Sequence, residues 1–521
     1  MLNGHVPTCI FKQFQITVRC PHTSPHTTMV QNDEVDDIPV VVTKVQDVER
    51  PYSIFTTSEK WVIVSLASIA GLFSPLTAYI YLPALPMIAT AFHKTVELTN
   101  LTVTVYLVFQ GVSPMFWGTL ADRMGRRPTS LGCLFVLSIA CIGLAFVPTS
   151  YFWLLMVLRC LQAIGSASTL TIGAGIIADI ATPAERGGFF GIFTMGPQVG
   201  PALGPVVGGA LADKLGWRSI FWFLCISSSA CFIVMVAFLP ETLRSLVGNG
   251  SILPPIQYRP LLSLMGRGRK DPEVECPPAR KSPNPFHLFA CVDILNLLVF
   301  NGIQYAVFTA ILATISSLFN KNYPQLSETD IGLCYLASGG GLALGAIFSG
   351  KLMDWDFRKT KEHLTRNFTP EKGISDGIID EDDFPIEATR LKRLPLWMIM
   401  FCAACVGYGW CLQARTTIAA PLVLQFVIGF SEIAMLTTIQ TLLVDLVPSQ
   451  GSSVTACNNL IRCSMGALLV SVIDLILQQI NTGWTFVLLG GICFISVPMV
   501  WLAVRIGPRC RAGRQQPEIA S

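Results

Sequence analysis

Long apolar runs broken by short polar ones dominate the chain. Runs close to the roughly 20 residues that a bilayer-crossing helix needs fall at about 61–83, 99–119, 129–147, 152–178, 189–212 and 219–239. A polar segment at 241–287 interrupts them. Six more runs follow at about 288–318, 331–353, 394–413, 418–446, 455–479 and 484–506. The pattern predicts an all-α polytopic membrane protein with twelve transmembrane helices in two six-helix bundles, 61–240 and 288–506, joined by the 241–287 linker. Residues 1–60 are polar and irregular, with an acidic patch at Asp33, Glu34, Asp36 and Asp37, and read as a disordered cytoplasmic tail. Residues 507–521 read as a second, short tail. The first residues lack the apolar centre of a signal peptide.

Composition agrees with this pattern. Of 521 residues, 52% are hydrophobic and 13% charged, about half the charged share of an ordinary soluble domain. The net charge of +3 is small, so its distribution matters more than its total. Lys and Arg gather in the loops of one side: Arg123, Arg126, Arg127 and Arg186, then Arg244, Arg259, Arg267, Arg269, Lys270, Arg280 and Lys281 of the linker. The 354–393 loop and Arg505, Arg509, Arg511 and Arg514 complete that set. The other side keeps only a few cations, such as Lys94, Lys214, Arg218, Lys321 and Arg415. The positive-inside rule therefore expects both termini in the cytoplasm. The 17 cysteines are scattered, mostly singly and inside apolar runs, and the Cys402–Cys405 pair has no second pair to complete a metal site. No metal, cofactor or nucleic-acid partner is expected.

The run at 189–212 departs from ordinary helix chemistry. Gly196, Gly200, Gly204 and Gly208 recur every fourth residue, Pro197, Pro201 and Pro205 follow three of them, and Gly209 closes the stretch. In a soluble helix each interior Pro costs about 3 kcal/mol and each Gly about 1 kcal/mol. Membrane helices tolerate both, and small residues at this spacing make a groove that admits another backbone. The groove is expected to seal tightly against a helix of the other half.

An internal repeat supports two related halves. Gly118, Asp122, Arg123, Gly125, Arg126 and Arg127 close span 2, and Gly350, Asp354 and Arg358 stand at the matching end of span 8. Parallel halves of this kind are what a duplicated six-span transporter shows. The Gly118–Arg127 stretch resembles the loop 2–3 signature of the major facilitator superfamily. Leu158–Gly165, with its basic Arg159, resembles that superfamily's span-4 motif, and Gly196–Gly209 its span-5 antiporter motif. The combination is similar to the fungal twelve-span drug:proton antiporters, particularly the quinidine-resistance-like branch. Tyr81–Pro86, Asp179 with Ala184–Gly187, Gly216–Arg218, Pro240–Arg244 and Asn458–Arg462 fit the same branch. One departure is Trp355, where the first half has Arg123.

The resemblance implies a proton-coupled exporter of a secondary metabolite, toxin, drug or organic acid. It implies alternating access in a monomer of the plasma membrane, or of a vacuolar or other internal membrane. Its partners would be the lipid bilayer, a small-molecule substrate and protons. An uptake carrier and a transport-inactive sensor are the other readings; the short 507–521 tail argues against the sensor.

Individual residues then take expected roles. Asp122 is placed to face a neighbouring helix N-terminus, whose partial positive charge attracts anions. Arg123, Arg126 and Arg127 are placed to pair with carboxylates such as Asp179 or Glu185 and hold the cytoplasmic side closed; plain positive-inside topology is the alternative. Charges inside spans cost roughly 2.5–3.5 kcal/mol at mid-bilayer and are functional by default. Arg159, in the outer half of span 4, is implicated by the resemblance in proton transfer or in tuning a carboxylate, with a structural salt bridge as the alternative. Glu432, mid-span, is the candidate for loading and releasing a proton or meeting a substrate charge. Asp293, Arg462 and Asp474 are read as lying nearer span ends, where snorkelling or pairing serves them.

Tyr79, Tyr106, Gln110, Gln162, Gln198, Asn301, Gln304, Tyr305 and Gln425 are candidates to line a central cavity, with helix packing as the alternative for each. Gly345–Leu352 nearly spells a P-loop but lacks the hydroxyl that binds magnesium and lies within a span. Asn100-Leu101-Thr102 is a glycosylation sequon at the edge of span 2.

Overall fold

The computed structural model describes residues 52–262, 285–367, 385–447 and 451–519. Of the tail expected over 1–60, residues 1–51 lie outside the described residues, as does the acidic run Asp380–Asp383 of the 354–393 loop.

The first half contains α1 (Thr57–Tyr79), α2 (Val96–Met124), α3 (Arg126–Phe146), α4 (Phe152–Ile180), α5 (Pro183–Leu215) and α6 (Arg218–Phe238). The second contains α7 (Val292–Asn322), α8 (Glu328–Asn367), α9 (Leu394–Gln413), α10 (Ala419–Leu446), α11 (Gly451–Gln479) and α12 (Thr482–Ile495), which continues after Ser496 as α13 (Val497–Ile519). Helices α12 and α13 together make the twelfth span. Eleven spans are long and apolar enough to cross a membrane by length and composition among the described residues. The glycine–proline helix α5 is absent from that set, because glycine and proline dilute its hydropathy.

Helix ends follow local chemistry. Thr56 and Glu59 form a reciprocal capping box, so α1 begins at Thr57 rather than 61. Thr95 caps α2, and Thr182, followed by Pro183, caps α5. Helix α8 overruns the expected end at 353 and stays helical to Asn367, and α13 stays helical beyond 506 to Ile519. Both extensions are polar, which is possible because a helix satisfies its own backbone in water as well as in lipid.

Packing repeats with an offset of six helices. In the first half α1 packs on α5, α2 on α4, α3 on α4 and α3 on α6. In the second, α7 packs on α11, α8 on α10, α9 on α10 and α9 on α12. Two seams join the halves, α5 on α8 and α2 on α11, and these are each other's counterparts. This is two-fold pseudo-symmetry in contact form. The apolar side chains of Phe116, Phe146, Ile226, Ile233, Ile347 and Ile399 remain uncovered by protein.

Candidate transport site and gates

Arg159 is wholly buried, 0% exposed, in the heart of the first half. Its guanidinium carbon lies 4.2 Å from the ring centre of Tyr81 and 4.3 Å from that of Tyr106. It donates to Gln162 Oε1 at 2.5 Å and to the Thr77 carbonyl at 3.4 Å, while its Nε and Nη2 have no hydrogen-bond partner. The aromatic faces hold the cation electrostatically in place of a carboxylate. A web of hydroxyls surrounds it: Tyr106 meets Thr77 and Ser166, and Tyr81 meets Thr102. Gln162 turns away from the seam between the halves, donating to Cys141 on α3.

The second half carries further deeply buried charges. Glu432 is 2% exposed, and neither of its oxygens has a hydrogen-bond partner. Arg462 is the cation that acts on it. The sequence reading placed Arg462 near a span end. The helix instead starts at Gly451, which carries Arg462 into its body, stacked 4.5 Å over the ring of Tyr305 and donating to Asn459 Oδ1 at 3.0 Å. Tyr305 in turn interacts with Tyr79 of the first half. Around this group Asn301 donates to Asn458, Gln304 to Ser496, and Gln425 to the Tyr408 hydroxyl. Gln110 donates to Ser74, and its backbone carbonyl accepts from Asn459 across the α2–α11 seam at 2.9 Å. Gln198 is half-buried on α5. The structure therefore collects Tyr79, Gln110, Tyr305, Arg462 and Glu432 at the meeting of the halves. Tyr106 and Gln162 stay with Arg159 inside the first half.

On the side bearing the basic loops, the carboxylate that meets a helix N-terminus is Glu241, not Asp122. Glu241 accepts from the backbone N–H groups of Arg126 at 2.9 Å and Arg127 at 3.2 Å, the first residues of α3, and from those of Thr242 and Leu243. Gly125 makes room for it. Its φ of +113° disfavours a side chain, and a Cβ there would sit 2.5 Å from Glu241 Oε2. Arg126 bridges Asp122 at 2.6 Å and Asp179 at 3.0 Å, joining the ends of α2, α3 and α4. Arg127 is spent on the carbonyls of Val236, Leu239 and Gln257. Arg123 is exposed. Glu185 pairs with Lys60 of α1 rather than with a motif arginine. Arg244 holds the carbonyls of Asp179 and Tyr52 and stacks on the Tyr52 ring. These bonds knit the first half and the start of the linker, and Arg126 with Asp179 is among the pairs the sequence suggests.

The second half repeats the arrangement with different residues. Arg390 bonds Asp445 at the end of α10 at 3.0 Å, the positional counterpart of Arg126 with Asp179. Asp356 accepts from Arg393. Arg358 is exposed, and the Asp354 side chain lies outside the described residues. The sequence repeat thus marks the right loop, but the ion pairs join Asp356 inside it to Arg393 past its end, and Arg390 past its end to Asp445. Glu241, Arg390 and Asp445 were not candidates, because nothing local reveals partners a hundred or more residues away or beyond a long loop.

The glycine stripe faces α1 of its own half, not the other half. A Cβ on Gly200 would lie 2.8 Å from Leu76 N and Pro75 Cγ; one on Gly204 would lie 3.1 Å from Ile80 N. Gly196 and Gly208 are pressed against Ser68 and Ile80. The neighbouring face of α5 meets α8. A Cβ on Gly332 would lie 2.6 Å from the Pro205 carbonyl oxygen, and Gly209 and Ala202 abut Gly332 and Gly339.

Ser316 donates to the Pro83 carbonyl at 3.1 Å and Thr329 to Asp213 at 2.7 Å. Asn100 donates to Asp474, and Gln478 to Glu97. These polar contacts between the halves lie at mid-helix or on the side opposite the basic loops. The Asn100 side chain is 1% exposed, so the sequon is closed to a glycosylating enzyme in this conformation.

The sequence profile described as Major Facilitator Superfamily matches residues 67–470. Citrate exporter 1 of Aspergillus niger is 34% identical over 506 residues, covering 96% of this chain and 96% of that protein. Quinidine resistance protein 1 of Saccharomyces cerevisiae is 32% identical over 480 residues, covering 88% and 85%. A crystal structure of a D-xylose–proton symporter shares the fold, with a TM-score of 0.61 and 13% identity over 84% of this chain and 96% of that one. With twelve spans, paired halves and relatives of this kind, the chain belongs to the major facilitator superfamily, in the branch of the fungal drug:proton antiporters.

Proposed function

We propose that this chain exports small organic molecules in exchange for protons, by alternating access between its halves. The basic side faces the cytoplasm, the membrane is the plasma membrane, and the monomer is the working unit. The observation that carries the reading is Glu432, a carboxylate buried mid-span with no hydrogen bond to either oxygen and with Arg462 as its cationic neighbour. Such a group is costly in a membrane and can exchange a proton without breaking a structural bond. The state described is closed on the outer side, where the contacts across the halves concentrate, and corresponds to cargo loading from the cytoplasm. The named activities of the relatives, citrate export and quinidine resistance, support outward movement of an organic acid or an amphiphilic drug.

The test is transport in proteoliposomes under an imposed pH gradient, with citrate and quinidine as probes and an entrapped pH dye. Cargo movement and proton movement in opposite directions are expected. Glu432→Gln should cut gradient-driven cargo movement at least tenfold while leaving cargo–cargo exchange intact. Cargo movement that survives collapse of the gradient, or that ignores Glu432→Gln, overturns the proposal.

A further inference from the structure

We infer that Asn100 and Asp474 form a proton-operated clasp of the outer gate, closed when Asp474 carries a proton and released when it ionises. This rests on the orientation and alternating-access reading above. Asn100 stands near the start of α2 and Asp474 near the end of α11, so the contact ties the two halves at their outer ends. Asn100 Nδ2 donates to Asp474 Oδ2, but the other amide atom, Asn100 Oδ1, is buried and has no hydrogen-bond partner. A carboxylate cannot serve it, since it offers only acceptors. A carboxylic acid can. With a proton on Asp474 Oδ1, its O–H donates to Asn100 Oδ1 while the amide N–H keeps its bond to Oδ2. That closes a two-bond ring and satisfies the orphan oxygen. When the proton leaves for outside water, two acceptors face each other at a buried site, at a cost of about 1–3 kcal/mol for the unsatisfied group.

The charges around the clasp favour the same behaviour. Glu97, three residues before Asn100 on α2, acts on Asp474 as a like charge and is itself held by Gln478 of α11. On the second seam, Asp213 of α5 is held by Thr329 of α8, with Glu328 beside it. The cations of this side, Lys94, Lys214, Arg218, Lys321 and Arg415, make no ion pair with these carboxylates among the described residues. Arg218 is engaged with Trp217 and the Val147 carbonyl. His93, ahead of α2, is exposed. Each seam therefore closes through a neutral donor on a carboxylate, with no positive group to hold it shut when ionised. Acid outside would close the gate behind a cargo already released, giving the inward proton a second task besides any at Glu432.

The experiment measures the distance between the outer ends of the halves by pulsed electron resonance in nanodiscs at pH 5 and pH 8. Spin labels on keto residues placed at Leu215 and Trp484, both exposed, avoid the native cysteines. In the otherwise native protein, a short distance should dominate at pH 5 and a longer population should grow at least threefold at pH 8. Asp474→Asn, whose amide makes the same two bonds at any pH, should hold the short distance at both. Asn100→Ala should raise the long population at pH 5 to its pH 8 level. A distribution unchanged between pH 5 and pH 8, or an unaltered pH response in Asp474→Asn, overturns the clasp. Cargo efflux from matched proteoliposomes separates the two proposals. A pH-responsive gate without efflux sinks the exporter and leaves the clasp standing, while efflux with a pH-blind gate sinks the clasp alone.

Discussion

Glu241 offers the sharpest test of how the basic side is built. Its carboxylate is 3% exposed and accepts from four backbone N–H groups, two of them at the start of α3, where a helix has no partners of its own for its first donors. Replacing Glu241 with Ala removes every one of these acceptors. A lost neutral cap costs typically about 1 kcal/mol, and hydrogen bonds to an ionised acceptor are roughly twice as strong as neutral ones. The two α3 bonds together are therefore worth about 2–4 kcal/mol, including the interaction with the helix dipole. Near 2–4 °C per kcal/mol, the figure for domains of 150–250 residues, the variant should melt roughly 4–16 °C lower. Glu241→Gln keeps one acceptor oxygen but aims an amide N–H group at backbone donors, so it should fall between Ala and the native protein. Melting is followed by intrinsic fluorescence of detergent-solubilised protein, with size-exclusion recovery as the check on aggregation. An Ala variant that melts within 1–2 °C of the native protein, by this reckoning, would refute the cap and leave Pro240–Arg244 as a mere connector.

Two further outcomes follow from the packing. Gly200→Leu cannot be absorbed by rotation of a side chain, because a Cβ already meets Leu76 N and the Pro75 ring at 2.8 Å. Overpacking of about 1–3 kcal/mol or more should force α1 from α5 and abolish transport in protein that still reaches the membrane; transport within twofold of native would show the contact is not needed. For the Arg126–Asp179 pair, whose side chains are each 12% exposed, a double-mutant cycle of Arg126→Ala and Asp179→Ala on thermal stability should give a coupling of about 1–3 kcal/mol, and a coupling near zero would reduce the pair to topology.

Much of the fold was legible because lipid simplifies the code: an apolar run of sufficient length has few structures open to it. The helix ends were less so. Span 8 was cut at 353 where apolarity stops, yet the helix continues to Asn367, since hydropathy reports the membrane and not the hydrogen-bond ladder. At the site, Arg159 and Glu432 stood out as charges in apolar runs, and their depth made them conspicuous. Arg462 was misplaced by a few residues at the start of its span, enough to move it from the body of α11 to its rim. Glu241 was invisible in its role, because a carboxylate in a loop looks the same whether it caps a distant helix or faces water. The glycine stripe was found by its period, but period does not say which neighbour fills the groove. Two helices compete for α5, and α1 takes the regular face while α8 takes the one beside it.

That second face has a consequence for turnover. Where α5 and α8 come closest, Gly209, Gly332, Gly339 and Ala202 carry no side chain longer than a methyl group. Rolling one helix over the other there resets no rotamers and unlocks no interdigitated teeth, so the ordering cost that accompanies most repacking is nearly absent. The seam behaves as a smooth bearing, and resistance to rocking is left to the few polar clasps at its outer end. A transporter built this way can place its rate control in a handful of protonatable contacts while the large surfaces glide.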